Sequence, residues 1–230
     1  MKRYSVKIGN NSKISIFSEN DQDLDQDLWA INWFNLKLPK TYKFYNLLAF
    51  PHLRKAGGAP LFKGYVTDIV KGQPEHDREV LLIVKYPSGP AFLKMISSKL
   101  FLLKSILRVR SVRKFVFGFV HASQAREEPT KIVKYKGVCQ YLLFVWQDEK
   151  KTRLKTLEKW AENSGAWIFF YGEKAASISR TKDGVTQQQP FFIQQMALVE
   201  SPGGNEIDEM LLAKKLDRLD ASIYRVKRVI

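Results

Sequence analysis

The spacing of apolar residues changes several times along the chain, and each change marks an element. WAINWFNLKL, from Trp29 to Leu38, is rich in aromatic and branched residues and stops at Pro39, which predicts a strand. Tyr42, Tyr45, Leu48 and Ala49 then fall at helical spacing, predicting a helix over 41–55 that Pro51 would kink or divide and Gly57-Gly58 would end. A strand over 59–70 follows, with Gly64 as a candidate bulge. Glu79 to Tyr86 is almost continuously apolar, as in a strand buried on both faces. After Pro87-Ser88-Gly89 a long helix is predicted over 90–113. It places Phe92, Ile96, Leu103 and Leu107 on one side, and Lys94, Ser97, Lys104, Ser105 and Arg108 on the other, with Phe101 among the polar positions. A strand from Phe115 to His121 completes the order βαββαβ.

The second half repeats that order. Strands are predicted over 138–146, 166–178, 191–199 and 222–230, and helices over 152–163 and 205–219. Break residues align between the halves: Gly58-Ala59 with Gly165-Ala166 at an offset of 107, and Pro87 with Pro202 at an offset of 115. Shared order and shared breaks predict an internal duplication. The chain thus divides into an N-terminal extension with an acidic linker (1–28), a first repeat (29–122), a linker (123–136) and a second repeat (137–230). In the extension, a hairpin is predicted around Gly9-Asn10-Asn11. The expected class is α+β: two ferredoxin-like βαββαβ repeats, each an antiparallel sheet with both helices on one face. Such a sheet leaves its other face apolar and in need of cover.

A resemblance supplies the cover. Ile31-Asn32, Gly57-Gly58, Leu61-Phe62-Lys63-Gly64 and Val84-Lys85-Tyr86-Pro87-Ser88 followed by Ala91-Phe92-Leu93-Lys94-Met95 resemble the dimeric α/β-barrel superfamily. The likeness is to a branch of small bacterial domains of unknown function related to antibiotic-biosynthesis-monooxygenase-like proteins. It covers 29–121; the second repeat matches only in element order. The resemblance implies two sheets packed face to face as an α/β barrel, here a pseudo-dimer within one chain that is a monomer in solution. It also implies a small-molecule-binding barrel, with cofactor-independent monooxygenase chemistry on an apolar or aromatic substrate. At Ser97-Ser98-Lys99-Leu100-Phe101 the chain departs from the acidic, tyrosine-containing segment often found in that branch.

Charge adds a second direction. The net charge is +15, and it is uneven: residues 1–122 hold 20 basic and 9 acidic groups, and residues 123–230 hold 18 and 14. No acid occurs between Val80 and Arg126. Such a field favours anionic partners. The alternative function is therefore a non-enzymatic module whose basic surface (Lys94, Lys104, Arg108) meets an anionic membrane or an acidic protein. Nucleic acid is disfavoured, because no RNP1-like stretch occurs and a closed barrel hides the sheet face. A single cysteine, Cys139, excludes an intrachain disulfide framework and a cysteine-based zinc site. No stretch reaches the ~20 apolar residues that span a bilayer. The expected location is cytoplasmic, with peripheral membrane attachment as the variant.

Candidate chemistry is sparse. His52, His76 and His121 lack HxH or HExxH spacing, so no metal is expected. No P-loop, dinucleotide fingerprint or GxSxG is present, and no cofactor is expected. His52 is a candidate general base near a barrel mouth. Asn32 and Tyr86 are candidates to orient a substrate and stabilise its anion, as an amide and a phenol can. Each also has a purely structural reading: Asn32 pointing out of its strand, and His52 as a partly exposed surface histidine. Arg113 reads best as a C-terminal helix cap.

Overall fold

A computed structural model describes residues 1–8, 11–20, 22–72, 78–125, 140–150, 152–189, 191–201 and 221–229. The helix expected over 205–219, most of the predicted linker, His76 and Cys139 lie outside the described residues. The chain begins with β1 (Lys2–Ile8) and β2 (Ser12–Ser18), the predicted hairpin. The first half then gives β3 (Leu28–Leu36), α1 (Pro39–Lys55), β4 (Ala59–Lys71), β5 (Val80–Tyr86), α2 (Gly89–Ile96), α3 (Lys99–Ser111) and β6 (Val112–Ala125). The second half gives β7 (Gln140–Trp146), α4 (Arg153–Asn163), β8 (Trp167–Lys182), β9 (Val185–Gln188), β10 (Gln195–Ser201) and β11 (Ser222–Arg228).

Eight of these strands form a closed antiparallel barrel in the order β3-β5-β4-β11-β7-β10-β8-β6, with β6 returning to β3. Two seams join the halves. At one, β4 pairs with β11 from Gly64↔Arg228 to Lys71↔Ile223; at the other, β6 pairs with β8 from Phe119↔Ala176 to Ala125↔Phe170. Closure leaves no edge among the eight barrel strands, whose N–H and C=O groups would otherwise be unpaired there.

Strand alternation sorts the side chains into layers. Trp29, Ile31 and Trp33 of β3 point inward and join one cluster with residues of the other seven strands. Leu28, Ala30 and Phe34 point outward beneath the helices. Tyr42 and Tyr45 of α1 cover Phe34, and Phe92 of α2 covers Phe117 and Phe119. Leu157 and Trp160 of α4 cover Phe144 and Trp146 in the second half.

Three differences from the sequence reading have physical causes. The helix expected over 90–113 is two helices, α2 and α3, broken at Ser97-Ser98. The break resets the helical phase, so Phe101 is buried and Leu103 is 64% exposed, the reverse of the amphipathic assignment. The irregularities in β4 lie between Pro60 and Phe62 against β5, and between Val66 and Asp68 and between Ile69 and Lys71 against β11, rather than at Gly64, where a Cβ would collide with Val226 across the seam. The N-terminal hairpin is packed rather than detached: β2 pairs with the distal part of β8, and Ile16 and Leu24 are fully buried. β8 and β9 meet at the predicted TKDG turn, where Asp183 and Gly184 take positive φ.

One end of the barrel is closed by aromatics. Trp33 meets Tyr224 edge-on at 5.0 Å and Phe192 at 6.2 Å, and the Phe191 ring lies against Gly118. A Cβ at Gly118 would fall inside that ring's van der Waals envelope. Gly118→Ala is expected to cost about 1–3 kcal/mol through overpacking. Urea denaturation checks this against Lys114→Ala as a surface control.

Candidate functional site

The opposite end of the barrel carries a buried polar cluster. On β10, Met196 and Leu198 point inward, and alternation carries Glu200 to the same face, where it is 1% exposed. Tyr141, the second residue of β7, sits opposite Glu200 in the ladder. Its hydroxyl donates to Glu200 Oε1 at 3.0 Å, and Trp167 Nε1 donates to Oε2 at 2.7 Å. Arg228 ends β11 on the inward face of Tyr224 and Val226 and donates from Nη1 to the Tyr141 hydroxyl at 3.2 Å. Its guanidinium stacks 5.0 Å from the Phe169 ring and 5.6 Å from Phe62. A carboxylate out of water needs donors and nearby positive charge. Tyr141 and Trp167 supply the donors, and Arg228 supplies charge through Tyr141.

The matched position of the first half carries the opposite sign. At the offset of 115, Val84-Lys85-Tyr86-Pro87 aligns with Val199-Glu200-Ser201-Pro202. Lys85 pairs in register with Trp29, stands 5.5 Å from that ring and bridges Asp27 at 3.0 Å. Because neighbouring barrel strands alternate in direction, β5 and β10 end at the same mouth. That mouth therefore carries Lys85 with Asp27 on one wall and Glu200 with Arg228 on the facing one.

Two further polar atoms face the interior. Trp29 Nε1 and Trp33 Nε1 are buried and donate to no acceptor among the described residues. An unmatched buried donor costs roughly 1–3 kcal/mol. An oxygen acceptor held inside the barrel would satisfy either one.

The residues singled out from sequence lie elsewhere. Asn32 points outward from β3 and donates to the carbonyls of Ala30 and Leu82, both at 3.4 Å. Tyr86 lies on the outer face of β5, edge-on to Phe92 at 5.2 Å, and burial pushes its phenol up. His52 lies on α1, where its Nε2 accepts from Lys104 Nζ at 2.9 Å. Burial, then Lys104 and Lys55, hold its pKa below the usual imidazole value. None of the three faces the barrel interior. Of the basic trio, Lys94 is exposed on α2, Lys104 also donates to the Leu48 carbonyl at 3.2 Å, and Arg108 lies 4.8 Å over the Phe115 ring. His121 bonds from Nδ1 to the Asp27 carbonyl at 3.1 Å, with Nε2 3.4 Å from Asp23. Among the described residues, no three His, Cys, Asp or Glu side chains converge as a metal site would require.

Glu200, Arg228, Tyr141 and Trp167 were missed as a site by sequence reasoning. A signal was present: Met196, Leu198, Glu200 and Tyr224, Val226, Arg228 each put a charge third on an otherwise apolar strand face.

No protein-family model matches the chain, and no curated protein matches it. Solved structures do resemble it. An anthrone oxidase-like protein shares 10% identity with a TM-score of 0.47, over 94% of each chain. A candidate monooxygenase from Fusobacterium nucleatum shares 10% identity with a TM-score of 0.46, over 89% of this chain and 93% of that one. A protein of unknown function from Rhodopseudomonas palustris shares 19% identity with a TM-score of 0.39, over 41% of this chain and 81% of that one. Likenesses at these identities and scores add nothing to the functional argument.

Tyr141 gives the mouth a measurable signature. Burial is the main cause that pushes its phenol up to about 12; the Arg228 hydrogen bond opposes the rise and Glu200 adds to it. An unfolded tyrosine ionises near pH 10, so the folded state holds this proton longer. The associated stability is intact below about pH 10 and is lost as pH rises through about 12. Denaturation midpoints should fall over that window, and Tyr141→Phe should lessen the fall while leaving the slope below pH 10 unchanged.

Proposed function

We propose that the chain is a small-molecule-binding barrel of the dimeric α/β type, built from two ferredoxin-like copies. The strand orders support the duplication: β4-β5-β3-β6 in the first half and β8-β10-β7-β11 in the second are the same order relative to the chain. The ligand in this reading is a flat, apolar or aromatic molecule carrying an oxygen. The observation that carries it is the buried Glu200 with Tyr141, Trp167 and Arg228, set among Phe62 and Phe169 on the inner wall. Ligand sites are mostly apolar with a few convergent polar groups, which is what this wall supplies. Asn32, His52 and Tyr86 then act from outside, fixing the wall and its helices without touching the ligand.

Glu200 also favours an enzymatic form of the reading. A carboxylate beside the ligand can accept a proton from an activated aromatic substrate, and the resulting anion can react with dioxygen without a cofactor, as in monooxygenase chemistry.

Quenching of tryptophan fluorescence by 2-naphthol and by naphthalene tests the binding. Saturable quenching by both is expected. Glu200→Gln and Arg228→Gln should weaken 2-naphthol about tenfold or more, the value of one lost charge-assisted hydrogen bond. Naphthalene binding should change less, and His52→Ala should change neither. Absence of saturable quenching by either probe would overturn the reading. Oxygen uptake with bound 2-naphthol, lost in Glu200→Gln, would separate an enzyme from a carrier.

A further inference from the structure

A second surface stands apart from the barrel mouth. Exposed large apolar side chains gather on α1 and α3: Phe44 (53%), Leu47 (70%) and Phe50 (48%) on α1, and Leu103 (64%), Ile106 (49%) and Val109 (67%) on α3. The helices lie side by side and antiparallel. Lys104 reaches the Leu48 carbonyl and His52, while Arg108, one turn further along α3, acts on Tyr42 and Tyr45 near the start of α1. Isolated exposed apolar residues need no explanation, but a set of this size on two adjoining helices does.

Charge frames this set. The exposed face of α1 begins with Lys40 and Lys43 and ends with Arg54 and Lys55, with the apolar residues between them. At 100° per residue, these positions and Phe44, Leu47 and Phe50 fall within an arc of about 140°. Lys99 and Arg110 are exposed on α3. Neither helix contains an acidic residue. These basic groups differ from the ones a continuous helix over 90–113 would present, because Lys104 and Arg108 turn toward α1 and Phe115.

We propose that the α1–α3 face docks on an anionic lipid surface. Phe44, Leu47, Leu103 and Ile106 enter the headgroup–acyl boundary, and Lys40, Lys43, Arg54 and Lys55 meet lipid phosphates. Apolar residues flanked by basic ones are the pattern of an interfacial helix. Charge complementarity selects this occupant. A second copy would bring one acid-free basic face against another, and like charges oppose that pairing. RNA would need stacking platforms, whereas four of the six apolar side chains are aliphatic. No described helix is long and apolar enough to cross a membrane, so the contact is peripheral.

Co-sedimentation of the full chain with vesicles tests the proposal. Vesicles of phosphatidylcholine alone are compared with vesicles holding about 30 mol% phosphatidylglycerol. The expected result is binding to the anionic vesicles at least about tenfold tighter than to the neutral ones, weakened by added salt. Leu47→Ser with Leu103→Ser, and separately Lys43→Glu with Arg54→Glu, should each reduce it about tenfold or more. All four positions are exposed, and unchanged near-ultraviolet circular dichroism confirms the fold of each variant. Failure to sediment with either vesicle overturns the proposal, as does binding that survives both double variants. A solution dimer, or a complex with an acidic protein, that competes with vesicles and dissociates in Leu47→Ser with Leu103→Ser would reassign the face to a protein partner.

Discussion

Closure of the sheet is the constraint on which the rest depends. A four-stranded sheet with helices on one face leaves an apolar face uncovered and two edges unpaired. In this chain each half supplies both remedies for the other. Pairing of β4 with β11 and of β6 with β8 uses up the edges, and curling the joined sheets encloses the inward faces as one interior. The β4–β11 seam joins residues far apart in the two halves, Gly64 with Arg228 and Lys71 with Ile223, so it gains free energy only after both halves have ordered. Gly64 is where that requirement shows most plainly, since only a missing side chain lets Val226 pack across the first seam.

Closure also decides what a charged residue inside the barrel can be. In an open sheet, Glu200 and Arg228 would be solvated strand-end charges. Inside the closed barrel Glu200 is taken from water and Arg228 is half-buried, and Tyr141, Trp167 and the rings beneath the guanidinium help offset the cost. The two mouths consequently differ. One is closed by Trp33, Tyr224, Phe191 and Phe192, and the other holds the polar cluster. The mouth with the cluster is where a ligand can be recognised by more than shape.

The element order was legible because period changes and Gly and Pro breaks are local signals. Gly57-Gly58, Pro87 and Gly165 stop the elements where they were expected to. The break at Ser97-Ser98 was not legible, because serine tolerates a helix interior and no Gly or Pro marks the stop there. That single interruption moved Phe101 inward and Leu103 outward, and with them the reading of the basic surface. The polar cluster was hidden for another reason. Its members come from β7, β8, β10 and β11, neighbouring strands of the second half, and their convergence depends on strand order and register rather than on any spacing in the sequence. Asn32, His52 and Tyr86 were chosen for chemistry that their residue types can perform. Alternation along β3 and β5 places Asn32 and Tyr86 on the opposite face from Trp33 and Ile83, which no property of the amide or the phenol could have revealed.

Native mass spectrometry of the untagged full chain is the most direct test that one chain closes its own barrel. The account predicts a monomer at the chain mass of 26.6 kDa across the micromolar range, because both seams are satisfied internally. A stable dimer, in which β4 and β6 of one chain pair with β11 and β8 of another, would contradict it.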